Sequence, residues 1–233
     1  MPKSTFRAKF RGRSVWSRLL RWGLLLLIAW YGTVLAGLLA LKILDPQFTA
    51  VHAQRRVESW FGKRKYQKHY RFVAMARISR DLQHAVVAAE DTRFFEHRGF
   101  DWVEIKDAVY DDLEDGRIRG ASTITQQLVK NLFLTTGGSV FRKAAEFAIV
   151  PAAELILGKQ RILELYLNVI EWGPGVYGAE AASQYHYGEP AARVGREQAA
   201  RLAAILPSPR RRKPARMDQY CAVILERMRR MGW

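Results

Sequence analysis

Three short stretches carry side chains whose types and spacing can do chemistry. The first is AAEDTRFFEHRGFD, Ala88 to Asp101, where a small apolar run ends in Glu90 and Asp91 and is followed by Phe94, Phe95, His97 and Gly99. A carboxylate at the C-terminal end of an apolar helix meets the negative end of the helix dipole and is partly desolvated. Both effects favour the protonated acid and raise its pKa, which suits Glu90 to work as a general base or acid. The alternative is that Glu90 and Asp91 only solvate a helix end and pair with Arg93 or Arg98. His97 has no partner motif, and a lone histidine reads as a hydrogen-bonded structural residue before it reads as a ligand.

The second stretch is GASTITQQLVKNLFL, Gly120 to Leu134. On a helix, Gln126 and Lys130 lie four apart, as do Gln127 and Asn131, opposite an apolar stripe of Ile124, Leu128 and Leu132. Amides and an amine without a carboxylate suit a ligand rich in hydroxyls, amides and phosphate oxygens. The helix start at Ser122-Thr123 also offers free backbone N–H groups to an anion. The plain alternative is a solvated polar face. The third stretch is FRKAAE, Phe141 to Glu146, in which Arg142 and Glu146 lie four apart. They make either a surface ion pair or a second carboxylate held beside a cationic pocket. Two carboxylates with hydroxyl-binding amides follow the logic of glycosidic-bond chemistry.

These residues need helices to hold them, and the apolar period is helical nearly throughout. Ser79 can cap a helix through Leu82, Val86 and Ala89, which ends at Glu90. Asp101 with Glu104 fits a capping box, followed by an apolar face of Trp102, Ile105, Val109 and Leu113, with Gly116 as the stop. Thr123 with Gln126 fits a second box, and Gly137-Gly138 closes that helix. A further helix starts near Ser139, with Pro151 expected to break or kink it and Gly158 to break it again. Ile162, Leu165, Tyr166 and Val169 carry the next helix, as far as Gly173-Pro174-Gly175. Helices around Ala179–Gln184, Arg196–Leu206 and Met217–Met231 follow. No run of alternating strands is present, so the domain is expected to be mostly α.

The chain has 233 residues and a net charge of +16, a balance that points to a polyanion such as nucleic acid, anionic lipid or a phosphorylated substrate. Seven basic residues and no acid precede WGLLLLIAWYGTVLAGLLAL, Trp22 to Leu41. That uncharged run is long enough to cross a bilayer core of ~30 Å. It reads as a retained anchor, with the N-terminus in the cytoplasm and the rest of the chain across the membrane. The expected order is a basic tail (1–21), a transmembrane helix (22–41), a membrane-proximal connector (42–70) and the soluble domain (71–233). The single cysteine, Cys221, rules out an intramolecular disulfide and reads as a packing residue. A membrane-anchored nucleic-acid module is disfavoured, because only residues 1–21 face the cytoplasm and they are too few to fold.

Together the motifs resemble glycosyltransferase family 51, the peptidoglycan glycosyltransferases. EDTRFFEHRG, GASTITQQLVKN, RKAAE and RILELYLNVIEWGPGVYGAEAA match that family's motifs in order over roughly Phe72 to Pro209. No serine here has a lysine three residues on and there is no K-T-G, so the likeness is to the monofunctional branch. The resemblance implies a lysozyme-like α domain with a hydrophobic lobe on the membrane, acting at the bacterial inner membrane on lipid II and the growing glycan. It implies Glu90 as general base, Glu146 as second catalytic carboxylate, and Ser122, Thr123, Gln126, Gln127, Lys130, Asn131, Arg142 and Lys143 as substrate-binding residues. Asp91, Phe94, His97 and Gly99 become their support. It further implies a divalent cation (Mg or Mn), with a metal position near Glu146, and partners among cell-wall synthesis or division proteins. Two departures stand out: His186-Tyr187 replaces a Tyr-Phe pair, and Ser208 replaces an asparagine. A lytic muramidase would share the fold, but the STITQQ helix and RKAAE argue against it.

Overall fold

The computed structural model describes residues 15–62, 66–107 and 122–233. The basic tail before Val15, and Val109, Leu113, Gly116 and Gly120, lie outside the described residues. The chain divides into two units, one ending at Gly37 and one running from Leu38 to Trp233. Helix α1, Val15–Leu41, is the one helix among the described residues long and apolar enough to cross a membrane, with a mean hydropathy of 2.3. It begins seven residues before the uncharged run, because Trp16 to Arg21 contains no helix breaker. Its leucines from Leu19 to Leu27 are exposed, as a lipid-facing surface requires.

The second unit is mostly helical. It contains α2 (Ala50–Trp60), α3 (Arg80–Glu90), a short α4 (residues 102–107), α5 (Ile124–Phe133), α6 (Val140–Val169), α7 (Ala179–Tyr187), α8 (Arg196–Ile205) and α9 (Asp218–Arg230). Residues 42–70, read from sequence as a connector, contribute α2 and strand β1 to this unit. α2 docks through Arg55, whose guanidinium meets Glu171 at 3.1 Å. Ser79 caps α3 as expected, its hydroxyl accepting from the Leu82 N–H at 3.2 Å. α3 then packs on α8 and α9, where Leu82, Val86, Leu202 and Met228 are fully buried, and α5 packs along α6. Cys221 lies in the buried face of α9 as a packing residue.

Two sequence expectations fail in instructive ways. Pro151 does not interrupt α6, which keeps helical geometry through it; the sole non-helical residue inside is Gly158, at φ 71°. Pro151 is exposed, so the carbonyl it strands one turn earlier can be solvated and the helix survives. Trp102, read from its period as part of an apolar face, is 65% exposed. A three-stranded sheet also went unforeseen: β1 (His69–Tyr70) pairs parallel to β3 (Val176–Tyr177), which pairs antiparallel to β2 (Glu171–Gly173). Strands of two and three residues carry no readable period.

The second half of α6 anchors this sheet and the chain leading into α3. Asn168 is fully buried; its Oδ1 accepts from the Val73 N–H and its Nδ2 donates to the Val73 carbonyl, both at 2.9 Å. Gly178 then passes so close, at φ 84°, that a Cβ there would sit 2.4 Å from the Asn168 carbonyl oxygen. The backbone of β3 and the end of α6 are thereby locked together, which fixes Tyr166 two residues earlier.

Candidate active site

Helix α3 presents Glu90 as its last residue, and the chain turns away at Asp91. The Asp91 carboxylate is buried and joins three segments. Oδ2 accepts from the Ile124 N–H at the start of α5 at 2.9 Å, and Oδ1 lies 2.9 Å from His97 Nε2. His97 Nδ1 accepts from the Gly99 N–H at 3.1 Å, so Nε2 carries the ring proton and donates to Asp91. Both ring nitrogens of His97 are therefore hydrogen-bonded within the protein. Arg93 pairs with Glu96 and approaches Asp101, so among the described residues it does not neutralise Glu90 or Asp91.

The start of α5 does meet an anion, but that anion is the protein's own Asp91. The other groups there are engaged in the expected capping box. The Thr123 N–H donates to Gln126 Oε1 at 2.9 Å, and the Thr123 hydroxyl accepts from the Gln126 N–H at 3.2 Å. That hydroxyl donates in turn to the Gly99 carbonyl at 2.6 Å. Thr123 and Gln126 are buried in this work, Asn131 donates to the Gln127 carbonyl at 2.8 Å, and Ser122 is exposed. Phe94 is fully buried under Phe95 and beneath the Lys159 ammonium, 4.4 Å from its ring centre. Gly99 adopts φ 92° where a Cβ would meet Val150 at 2.4 Å. Only glycine lets the loop press onto α6 here.

This scaffold sets Glu90 against Gln127. Gln127 Nε2 donates to Glu90 Oε2 at 2.7 Å, and the Tyr166 hydroxyl donates to Gln127 Oε1 at 2.9 Å. Tyr166, buried and with its own ionisation pushed well up by burial, fixes which way the amide faces. Sequence reasoning placed Tyr166 on a helix stripe and gave it no role. The available signal was its hydroxyl, since a buried tyrosine needs a polar partner. Burial pushes the Glu90 carboxyl above its ordinary range and the neighbouring Asp91 adds to this. The Gln127 hydrogen bond and the charges of Lys130 and Arg212 oppose it. Arg212 is a second residue that sequence reasoning passed over, because its loop carries no motif.

Lys130 completes the site. Burial lowers its pKa, Glu146 and Glu90 pull it back up, and Arg142 and Lys143 push it down. Among the described residues its ammonium has no ion-pair partner within 4.0 Å. Glu146 is only 2% exposed, which rules out the surface pair. Its two oxygens meet Arg142 at 2.7 Å and Lys143 at 2.5 Å. Asp91, His97 and Asp101 bring metal-ligating atoms within 4.8 Å of one another. Both His97 nitrogens are already engaged, and Asp101 caps α4 through the Val103 and Glu104 N–H groups, so each of the three groups already has protein partners. A cleft of about 770 Å³ lined by Arg55, Glu58, Tyr66, Glu171 and Arg210 contains none of the candidate residues.

The departures are accommodated locally. His186 Nε2 lies 3.3 Å from the Trp172 carbonyl, and the Ser208 carbonyl accepts the N–H groups of Arg211 and Arg212.

A raised carboxyl pKa has a stability consequence. Below the unfolded value of about 4.3 Glu90 is protonated in both states; as pH rises through its higher folded value, stability is lost. Glu90→Gln removes that loss. Thermal melts should show the variant matching wild type near pH 4 and exceeding it by about 3 °C at pH 7, on the order of 1 kcal/mol. Equal melting temperatures at pH 7 would contradict the burial argument.

With the geometry in place, comparison with known proteins assigns the chain. Residues 56–229 match the family described as Transglycosylase. The chain is 42% identical over 230 residues to the biosynthetic peptidoglycan transglycosylase of Cronobacter sakazakii, covering 97% of this chain and 95% of that protein. It is 43% identical over 199 residues to that of Pseudomonas entomophila, covering 85% and 82%. Against that of Ectopseudomonas mendocina it is 44% identical over 198 residues, covering 83% and 82%. The chain therefore belongs to the transglycosylase family and is a peptidoglycan transglycosylase.

Proposed function

We propose that this transglycosylase polymerises lipid II, with Glu90 as general base. The acceptor sugar's 4-hydroxyl gives its proton to Glu90, and the oxygen attacks the anomeric carbon of the donor. The bond from that carbon to the diphosphate breaks, and the lipid diphosphate leaves with the electron pair. Attack opposite the leaving group inverts the configuration and makes the linkage β. The observation that carries this reading is the held, partly buried Glu90 carboxylate near the Lys130 ammonium, which has no ion-pair partner within 4.0 Å among the described residues. One oxygen is engaged by Gln127, and burial has already made the group a stronger base than a surface glutamate.

The diphosphate needs counter-charge more than it needs a proton. Lys130 is the group placed to supply it, with Arg142 and Lys143 held on Glu146. Glu146 then works through these cations. Since both its oxygens are engaged, any Mg or Mn ion is proposed to arrive on the substrate's diphosphate, not on a protein ligand set. Thr123, Gln126 and Asn131 support the donor helix, while Gln127 and Ser122 remain at its open side. Phe100 stacks on Phe147 at 4.5 Å and meets the exposed Trp102 in a tilted contact at 5.5 Å. This apolar patch, with the uncharged run Trp22–Leu41 of α1, supports a domain lying on the bilayer that holds the substrate's lipid. The basic residues before α1 support a cytoplasmic N-terminus and an extracytoplasmic catalytic domain at the inner membrane.

A reporter fused after Trp233 tests this orientation. It should be active outside the cytoplasm, and activity only inside it refutes the topology. For the base, Glu90→Gln should lower the rate of lipid II polymerisation by ~10²–10⁴-fold while retaining substrate binding. The wild-type rate should rise with pH through a limb above the ordinary glutamate value of about 4.3. A variant keeping more than about a tenth of the wild-type rate would remove Glu90 from this role.

Lys130→Ala should slow polymerisation by about 10–100-fold, the range of a charge-assisted bond. The remaining activity should depend more steeply on added Mg²⁺ than that of wild type. An unchanged rate returns α5 to a purely structural role.

A further inference from the structure

We propose that Arg227 of α9 is a positioning residue for the reaction. Its guanidinium caps the C-terminal carbonyls of α3 and keeps Glu90, at the end of that helix, both in place and ionisable. The proposal rests on the reading of Glu90 as base. The last carbonyls of a helix lack backbone partners. In α3 the Asp91 N–H closes on the Val87 carbonyl at 2.9 Å. Among the described residues no backbone N–H reaches the carbonyls of Ala88 and Ala89, the two residues before Glu90. Arg227 Nη1 donates to both, at 3.2 and 3.5 Å.

Arg227 is set apart from its neighbours. Arg229 and Arg230 both pair with Glu226 at the surface, whereas Arg227 has no acidic partner within 4.0 Å among the described residues. It is carried next to Met228, one of the buried residues through which α9 packs. A second contact holds the same two segments together, since the Trp233 ring stacks on His84 of α3 at 4.3 Å. The cation is therefore delivered to the helix end on a fixed frame.

The charge matters because of what else Glu90 faces. Asp91 on its own segment disfavours ionisation, as does burial. Gln127 and Lys130 from α5 and Arg212 from the loop before α9 favour it, and Tyr166 from α6 stands behind Gln127. The uncompensated carbonyls of α3 would add to the unfavourable side, since they form the negative end of the helix dipole. Arg227 makes no hydrogen bond to the carboxylate and acts through those carbonyls.

Arg227→Gln keeps a donor for the carbonyls and removes the charge; Arg227→Lys keeps the charge. Arg227→Met supplies a second neutral side chain should the Gln variant unfold. In full-length protein, the Glu90 carboxyl can be titrated by carbon NMR with labelled glutamate, its signal identified by its loss in Glu90→Gln. The acid limb of the polymerisation rate is measured alongside. The neutral variants should move both upward by roughly half a pH unit, a loss of about three-fold on the acid side. Lys should leave both in place. An unmoved titration in the folded neutral variants overturns the proposal, as does a Lys variant that shifts as far as they do; Arg227 then only braces α9. If the titration moves while the acid limb of the rate stays put, the base assignment itself has failed and the proposal falls with it.

Discussion

The carboxylate of Asp91 holds the active-site end of the domain together. Its oxygens tie the end of α3, the first turn of α5 and the His97 loop at one buried point. Through His97 the clasp extends to Gly99, and through the Thr123 hydroxyl back again to α5. Remove that charge and the α5 N–H group loses its acceptor and the imidazole its partner, each a buried polar group left unsatisfied at a cost of about 1–3 kcal/mol. Every distance between Glu90 and α5 follows from this junction. Adjacent acids thus differ in environment: both Asp91 oxygens are hydrogen-bonded, while among the described residues only one Glu90 oxygen is.

The second organising feature is where positive charge is left over. A charge buried as deeply as that of Glu146 is tolerable only when paired and hydrogen-bonded, and Arg142 and Lys143 meet that need. Their charges also oppose that of Lys130, whose ammonium feels Glu146 and Glu90 but forms no ion pair within 4.0 Å among the described residues. An unmatched, half-desolvated cation is costly in the empty site and favourable once an anion enters it. The net charge of +16 therefore has a local counterpart at the site, beyond the general basicity of the surface. The proposed substrate explains why this cluster sits in a protein that also carries a membrane-length apolar helix and exposed aromatics near α4 and α6. One end of that substrate is a diphosphate and the other is a lipid.

Much of this was legible in the residues alone. The caps of α3 and α5, the apolar span, and the segments bearing Glu90, Lys130 and Glu146 are local properties. Side-chain type and 3.6-residue spacing decide them before any long-range contact forms. What could not be read was which partner each polar group would choose. Two acids at a helix end look alike in sequence, yet one reaches 33 positions along the chain to Ile124. Glutamines 126 and 127 are neighbours, yet one closes a cap and the other meets Glu90, because successive helix residues point about 100° apart and the core accepts only one of those directions. Pro151 defied its local rule because exposure, which no local pattern fixes, decided the outcome. Tyr166, Arg212 and Arg227 stayed invisible for the same reason. They lie far from Glu90 in sequence, and only the packing of α6, the Ser208 loop and α9 around α3 brings their hydroxyl and charges to bear on it.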